Sequence, residues 1–208
     1  MRNYKGISGA SIVSFSTDTS KYTVNFDWKQ IETTVTDKAT VVDQWVQGIN
    51  VLYPPNESVI VGLNVERSAR KNRSATLHLC VDSKCLIVQL LYIGELPLSL
   101  KNFFVNPNFF FVGILVAINI SRIHDEYGGL SWDIVHADIK ELAMQKWPDR
   151  WNELEDLCSG LLGLSMKKPK LVSLNNWDVR VLSIEQVEYA CIDAYVSWKL
   201  GHKLLRDC

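Results

Sequence analysis

Polar residues interrupt apolar segments at two distant places in the sequence. Asn64 and Glu66 end an apolar run that begins near residue 58, and because they are two residues apart, they share one face of a strand. Tyr189 and Asp193 are four residues apart, so they share one face of a helix. An unpaired carboxylate on so apolar a helix is costly, which indicates a functional role for Asp193. The pattern predicts that strand and helix groups converge on one site.

Each of these residues also has a purely structural interpretation. Glu66 fits a surface charge at a strand end, and Tyr189 fits a core aromatic residue of the last helix. Asn64 fits an ordinary polar residue, and so does Asn119, which follows the apolar segment 109–118. Basic residues are concentrated at 67–73 and at 167–170. Such clusters are solvated loops more often than phosphate contacts, so both interpretations stay open.

The elements that must position these residues alternate between strand and helix. Residues 21–36 alternate and predict a β-hairpin, residues 58–65 predict a central strand buried on both faces, and 183–205 predict a long helix opened by a Ser183–Gln186 capping box. The remaining predicted strands are 76–81, 84–91, 109–113 and 132–136, and the remaining predicted helices are 41–50 (capped by Thr40), 98–104, 116–127, 138–147 and 151–162. This order predicts an α/β fold, a mixed β-sheet flanked by α-helices.

Composition limits the class of protein. The chain has 208 residues, of which 47% are apolar, and a net charge of −1. We therefore expect a flexible segment at 1–20 followed by one domain at 21–208, with nucleic-acid binding possible only through a local basic patch. We also expect no secretory leader, no membrane association, and an intracellular protein of the cytoplasm or nucleus with five reduced cysteines. A zinc site at Cys80 and Cys85 lacks a second ligand pair.

The order of these motifs resembles that of a known family. A strand with Asp-x-Glu, a Val-Gly pair with Asp six residues after the glycine, and a final Tyr-x-x-x-Asp are typical of Werner-like 3′–5′ exonuclease domains, which are DnaQ-like, DEDDy-type proteins with an RNase H-like fold. The matching residues here are Asn64, Glu66, Val112, Gly113, Asn119, Tyr189 and Asp193. The resemblance covers residues 33–204, and residues 25–47 are also similar to small stand-alone plant members.

The resemblance implies a metal-dependent nuclease site. In such enzymes four carboxylates hold two Mg²⁺ or Mn²⁺ ions, and the tyrosine orients the attacking water. Glu66, Tyr189 and Asp193 match the catalytic positions, with Glu66 and Asp193 as metal ligands, whereas Asn64 and Asn119 stand where two aspartates belong. Mg²⁺ prefers anionic oxygen ligands, so these two amides predict weakened metal binding and impaired catalysis.

The resemblance also implies a substrate and partners. We expect the chain to bind or act on single-stranded nucleic acid, RNA rather than DNA, through Lys167, Lys168 and Arg67, the last standing where the family often has tryptophan. The alternatives are an active metal-dependent exonuclease and a non-catalytic interaction subunit. Some small plant members form ring-shaped hexamers, and a surplus of phenylalanines at 103–104 and 109–110 likewise predicts a homo-oligomer.

Overall fold

The computed structural model describes residues 11–16, 20–128, 130, 133–148, 153–166 and 176–206. Its strands are β1 (Ser11–Ser16), β2 (Lys21–Phe26), β3 (Lys29–Thr36), β4 (Val59–Ser68), β5 (Arg73–Val81), β6 (Lys84–Gln89), β7 (Phe109–Gly113) and β8 (His136–Asp138). Its helices are α1 (Ala39–Leu52), α2 (Leu90–Ile93), α3 (Leu98–Val105), α4 (Val116–Tyr127), α5 (Ile139–Lys146), α6 (Leu154–Leu157), which continues into a π-helical turn at Cys158–Leu162, and α7 (Ile184–Leu205).

The eight strands form one mixed sheet in the order β1-β2-β3-β6-β5-β4-β7-β8. The pairs β3–β6, β4–β7 and β7–β8 are parallel, and the other neighbours are antiparallel. The strands β3, β4 and β6 therefore run in the same direction, and their carboxyl ends lie along one edge of the sheet. We refer to this edge as the carboxyl edge.

Helices cover both faces of the sheet. On one face, Val61, Leu63 and Val65 of β4 belong to an apolar cluster with α1, α3 and α4. On the other face, Ile60 of β4 belongs to a cluster with α7. The strand β4 thus buries apolar side chains in both directions, which explains why its sequence is a continuous apolar run rather than an alternating one.

Two glycines let α7 approach the sheet closely. A Cβ on Gly62 of β4 would lie 1.9 Å from the carbonyl oxygen of Ala194 and 2.6 Å from the backbone nitrogen of Trp198. Farther along α7, a Cβ on Gly201 would lie 2.7 Å from Cγ2 of Val112. At Gly62 the backbones of strand and helix touch, which is possible only where a side chain is absent, and at Gly201 the missing side chain leaves room for those of Val112 and Ile60. These glycines set the position of α7.

Several predicted elements are shifted. The predicted strand at 132–136 is instead β8 at His136–Asp138, and α1 begins after Lys38 without the predicted cap from Thr40. The helix predicted at 151–162 begins at Leu154, after an extended Glu153, and becomes π-helical at Cys158, while residues 151–152 lie outside the described residues. Six residues of the segment predicted to be flexible form the edge strand β1, whereas residues 1–10 and 17–19 lie outside the described residues.

The phenylalanines that suggested an oligomer are largely core residues. Phe103, Phe104 and Phe109 are almost fully buried. The ring centroids of Phe103 and Phe109 lie 4.2 Å apart, and those of Phe104 and Phe111 lie 4.9 Å apart in a stacked arrangement. These three residues fill the space beneath α3 and are not available to a second copy, whereas Phe110 is half-buried, so most of the named phenylalanines do not support self-association.

Cys80 and Cys85, which the sequence offered as a zinc pair, are buried free thiols. Cys80 and Cys85 face each other across β5 and β6, and burial raises the pKa of both thiols. Within the described ranges, no group of three or more His, Cys, Asp or Glu side chains is placed to hold a metal ion. Within the same ranges, no helix is both long and apolar enough to cross a membrane.

Candidate functional site

The carboxyl edge brings together residues from β4 and α7. Asn64 of β4 is half-buried, and its Nδ2 donates a hydrogen bond of 3.2 Å to Oδ2 of Asp193. Asp193 is only 3% exposed although it is a carboxylate. Burying a charged group is costly unless it is paired, and the Asn64 amide provides one such partner. This contact joins positions 129 residues apart in the chain.

The position of Asp193 follows from how α7 begins and how it packs. The Ser183 hydroxyl accepts from Gln186 N at 3.2 Å, and Ser183 N donates to the Gln186 side chain at 2.9 Å, so the predicted capping box is present. One residue beyond Asp193, the backbone of Ala194 lies against Gly62, two residues before Asn64. Residues two apart on a strand share a face, so this approach places Asp193 beside Asn64.

Tyr189 lies on the same helix in an aromatic cluster. Its ring centroid is 5.9 Å from that of Trp177, which is 5.8 Å from that of His78. His78 is fully buried and hydrogen-bonds the Thr76 hydroxyl at 2.8 Å, and desolvation lowers its pKa to about 3. His78 is therefore neutral near pH 7. Tyr189, 8% exposed, fits both a core aromatic residue and a residue at the edge of the site.

Asn119 helps to form the loop that begins α4. Its Nδ2 donates to the carbonyl of Ile114 at 3.3 Å, and the side chain is 7% exposed. The intervening Leu115 has a left-handed backbone, with φ of 53°, and its N–H donates to Oδ2 of Asp138 at 2.6 Å. A Cβ on Gly113 would lie 2.2 Å from the carbonyl of Leu63, so this loop begins directly beside the Asn64 strand.

Glu66 and Arg67 lie at a β-bulge. The pairing between β4 and β5 shifts between these two residues, with Glu66 opposite Thr76. The Arg67 guanidinium donates to Glu126 at 3.4 Å and to the Asn72 carbonyl at 2.8 Å. Arg67 therefore links the β4–β5 turn to the end of α4 through these hydrogen bonds. The other predicted nucleic-acid contacts, Lys167 and Lys168, lie outside the described residues.

The residues present do not fit a centre for two divalent ions. Two of the four motif positions are carboxylates, Glu66 and Asp193, and two are neutral amides, Asn64 and Asn119. Hard divalent cations prefer anionic oxygen ligands. The Asn64 amide, moreover, presents its N–H to Asp193, and the Asn119 amide presents its N–H to a backbone carbonyl. Both amides donate through Nδ2, and the Oδ1 atom that each could offer to a cation carries no formal charge.

Comparison with known proteins agrees with this arrangement of motifs. A family model described as 3′-5′ exonuclease matches residues 41–208, which include all the motif positions. The chain belongs to the 3′-5′ exonuclease family. A 3′-5′ exonuclease of Arabidopsis thaliana is 33% identical over 181 residues, which are 81% of this chain and 62% of that protein. A 3′-5′ exonuclease of Drosophila melanogaster is 26% identical over 142 residues, 64% of this chain and 39% of that protein. The chain thus spans less than two thirds of either relative.

Solved structures identify the fold of this family member. Escherichia coli RNase D superposes with a TM-score of 0.68 at 16% identity, over 83% of this chain and 44% of RNase D. The catalytic core of RRP6 from Trypanosoma brucei gives 0.67 at 17% identity, over 83% of this chain and 46% of RRP6. The predicted RNase H-like fold of the DnaQ-like exonucleases is confirmed.

Sequence reasoning missed part of the site's surroundings. Gln89 is buried at the end of β6, with its Nε2 donating to the carbonyls of Val179 at 3.2 Å and Arg180 at 3.1 Å. The signal was available, because Gln89 is a polar residue that directly follows the apolar residues of β6. The location of Arg180 had no such signal, because it depends on a contact across 91 residues.

Proposed function

We propose that this member of the 3′-5′ exonuclease family binds single-stranded nucleic acid, with RNA preferred over DNA, and hydrolyses it far more slowly than a relative with four carboxylates. The hydrogen bond from Asn64 to Asp193 carries the proposal. It supplies a donor to a buried carboxylate at the position where the family resemblance implies a shared cation.

The formal charge of the four motif side chains also supports slow hydrolysis. With asparagine at two positions, the four motif side chains carry at most two negative charges, which would face two divalent ions. An amide oxygen brings no net charge to a cation, and each 1.36 kcal/mol lost from transition-state stabilisation costs a factor of ten in rate. Loss of an anionic ligand from each ion therefore predicts a rate several orders of magnitude below that of a fully carboxylated relative.

Substitution of both asparagines by aspartate tests this reasoning. In the Asn64→Asp variant, two carboxylates would meet at a buried position, and like charges at that distance require a proton or a cation between them. We expect the Asn64→Asp/Asn119→Asp double variant to bind Mn²⁺ and Mg²⁺ by calorimetry and to shorten a 5′-labelled single strand from its 3′ end. Asn102→Asp, which adds a charge at an exposed position on α3, is the matched control and gains neither property.

Three results test separate parts of this proposal. Robust Mg²⁺-dependent shortening by the unmodified protein, abolished by Asp193→Ala, would contradict impairment. Equal affinity for RNA and DNA strands of the same sequence would contradict the substrate preference. A chain that binds neither strand is an interaction subunit rather than a nucleic-acid-binding protein.

Self-association is a separate part of the proposal and rests on the similarity to small plant members. The exposed apolar side chains available to a second copy include Trp28 at the β2–β3 turn, 99% exposed, and Val51 on α1, 78% exposed. Light scattering at micromolar concentration measures the mass directly. A homo-oligomer, with a hexamer as one form, is expected, and a monomer contradicts it.

A further inference from the structure

Two cationic side chains from distant parts of the chain lie against one aromatic ring. Lys71, in the turn between β4 and β5, has Nζ 5.7 Å from the centre of the Tyr92 ring. Arg180, which precedes α7, has its guanidinium carbon 4.6 Å from the same centre. The Tyr92 hydroxyl donates to the carbonyl of Asp178, so the ring itself is fixed. The attraction between a cation and a ring face then holds both charges in place.

The sheet determines how far Gln89, which holds the backbone of Arg180, lies from Glu66 of the candidate site. Gln89 of β6 pairs with Thr76 of β5, and Thr76 pairs with Glu66 of β4. Neighbouring strands are about 4.8 Å apart, so Gln89 lies about 10 Å from Glu66 across the carboxyl edge. The buried side chain of Gln89 holds the backbone of Arg180 by a hydrogen bond of 3.1 Å. Arg180 is therefore anchored at a defined distance from the candidate site.

Further basic residues lie on both sides of the Tyr92 ring. Arg70 is exposed beside Lys71 in the β4–β5 turn. On the other side, a cleft of about 430 Å³ is lined by Arg180 and Lys38, among other residues. The Arg180 guanidinium also contacts Asp37 at 2.6 Å, and its side chain is 65% exposed. Because the whole chain has a net charge of −1, this local concentration of cations is not a consequence of composition.

We propose that Lys71, Tyr92 and Arg180 form a phosphate-binding track for a single nucleic-acid strand whose 3′ end lies at the Asn64–Asp193 contact. The inference rests on the proposed function and names the surface that holds the strand. A stacked strand rises about 3.4 Å per nucleotide, so the separation of about 10 Å between Glu66 and the Gln89 position that holds Arg180 corresponds to about three nucleotides. Two cations that are already fixed lose less side-chain entropy on binding than free lysines would.

The proposal predicts a specific salt dependence. A fluorescent ten-nucleotide RNA is titrated with protein at KCl concentrations from about 50 to about 300 mM, a range in which salt strongly changes the affinity. Each phosphate contact to a single strand contributes about 0.7 to the slope of log K against log salt, which at 0.1 M salt corresponds to about fivefold in affinity. We expect Lys71→Gln and Arg180→Gln each to lower the slope by about 0.7 and the affinity by about fivefold.

A matched control removes the same charge elsewhere. Lys29 is exposed and pairs with Asp82 at 3.2 Å, much as Arg180 pairs with Asp37, but it lies at the opposite end of the sheet. Lys29→Gln is expected to leave both slope and affinity unchanged. With a dinucleotide, which is too short to reach the track from the 3′ end, Lys71→Gln and Arg180→Gln are expected to bind as well as the unmodified protein.

Asp37 provides a test in the direction of gain. Its carboxylate competes with phosphate for Arg180, so Asp37→Asn is expected to strengthen binding of the ten-nucleotide RNA, by at most the fivefold value of about one contact. If Arg180 served only to hold the start of α1 through Asp37, this variant would lower the melting temperature and leave RNA binding unchanged, which would overturn the proposal.

The remaining outcomes separate the track from the proposed function. If the unmodified protein binds the RNA and the Lys71 and Arg180 variants keep its affinity and slope, the track is wrong and the proposed function stands. If the unmodified protein binds no strand even at low salt, the proposed function fails and the track fails with it. Thermal unfolding of each variant shows whether a loss of binding reflects loss of fold.

Discussion

Substitution of Gly62 by alanine tests whether α7 is positioned by backbone contact with β4. The added Cβ would lie 1.9 Å from the Ala194 carbonyl oxygen and 2.6 Å from the Trp198 nitrogen. Both are backbone atoms of one helix, so neither can rotate away and the helix must move. Overpacking a core costs about 1–3 kcal/mol, and we expect the upper end here, reduced by under about 1 kcal/mol because alanine restricts the unfolded chain.

The expected change in melting temperature follows from the size of the chain. For a domain of this length, each 1 kcal/mol shifts the melting temperature by about 2–4 °C, so a loss of about 2–3 kcal/mol lowers it by about 4–12 °C. Gly48→Ala is the control, because Gly48 lies in α1 and a Cβ added there would meet nothing within 4 Å. It is expected to stabilise the protein by up to about 1 kcal/mol, the difference in helix propensity. Calorimetry measures both, and a Gly62→Ala variant that melts within about 2 °C of the unmodified protein would refute the reasoning.

Two further predictions concern stability. Burial lowers the pKa of His78 to about 3, so between pH 6.5 and about 3 the unfolded chain binds a proton that the folded chain does not. This residue therefore makes the free energy of unfolding fall on acidification by about 1.4 kcal/mol per pH unit in that window. Urea unfolding of His78→Gln should lack this component, and a pH slope identical to that of the unmodified protein would contradict the prediction. Ser183→Ala removes the capping hydroxyl of α7 and is expected to cost about 1 kcal/mol, measured by urea unfolding. The control is Ser58→Ala, at an exposed position before β4, and equal losses in the two variants would show that the capping box adds nothing.

Much of the fold could be predicted because its signals are local. The continuous apolar run of β4 identifies a central strand, and Ser183 with Gln186 marks the first turn of α7. The bounds of β7 and α4 match the prediction because Asn106–Pro107 and Gly128–Gly129 interrupt the chain there. The edge strand β1 was missed because three serines lie among its three apolar residues, and its pairing with β2 makes it a strand.

The candidate site likewise has properties that the sequence determines and properties that only the fold determines. The sequence by itself determines that the four motif positions hold two carboxylates and two amides, because residue identity sets formal charge in any fold. Only the tertiary structure decides that the Asn64 amide donates to Asp193, since that contact requires α7 to lie directly on Gly62. The same is true of Lys71 and Arg180, which the chain separates widely and Tyr92 brings together. Local patterns report periodicity within one element, whereas contacts between elements depend on how their faces pack.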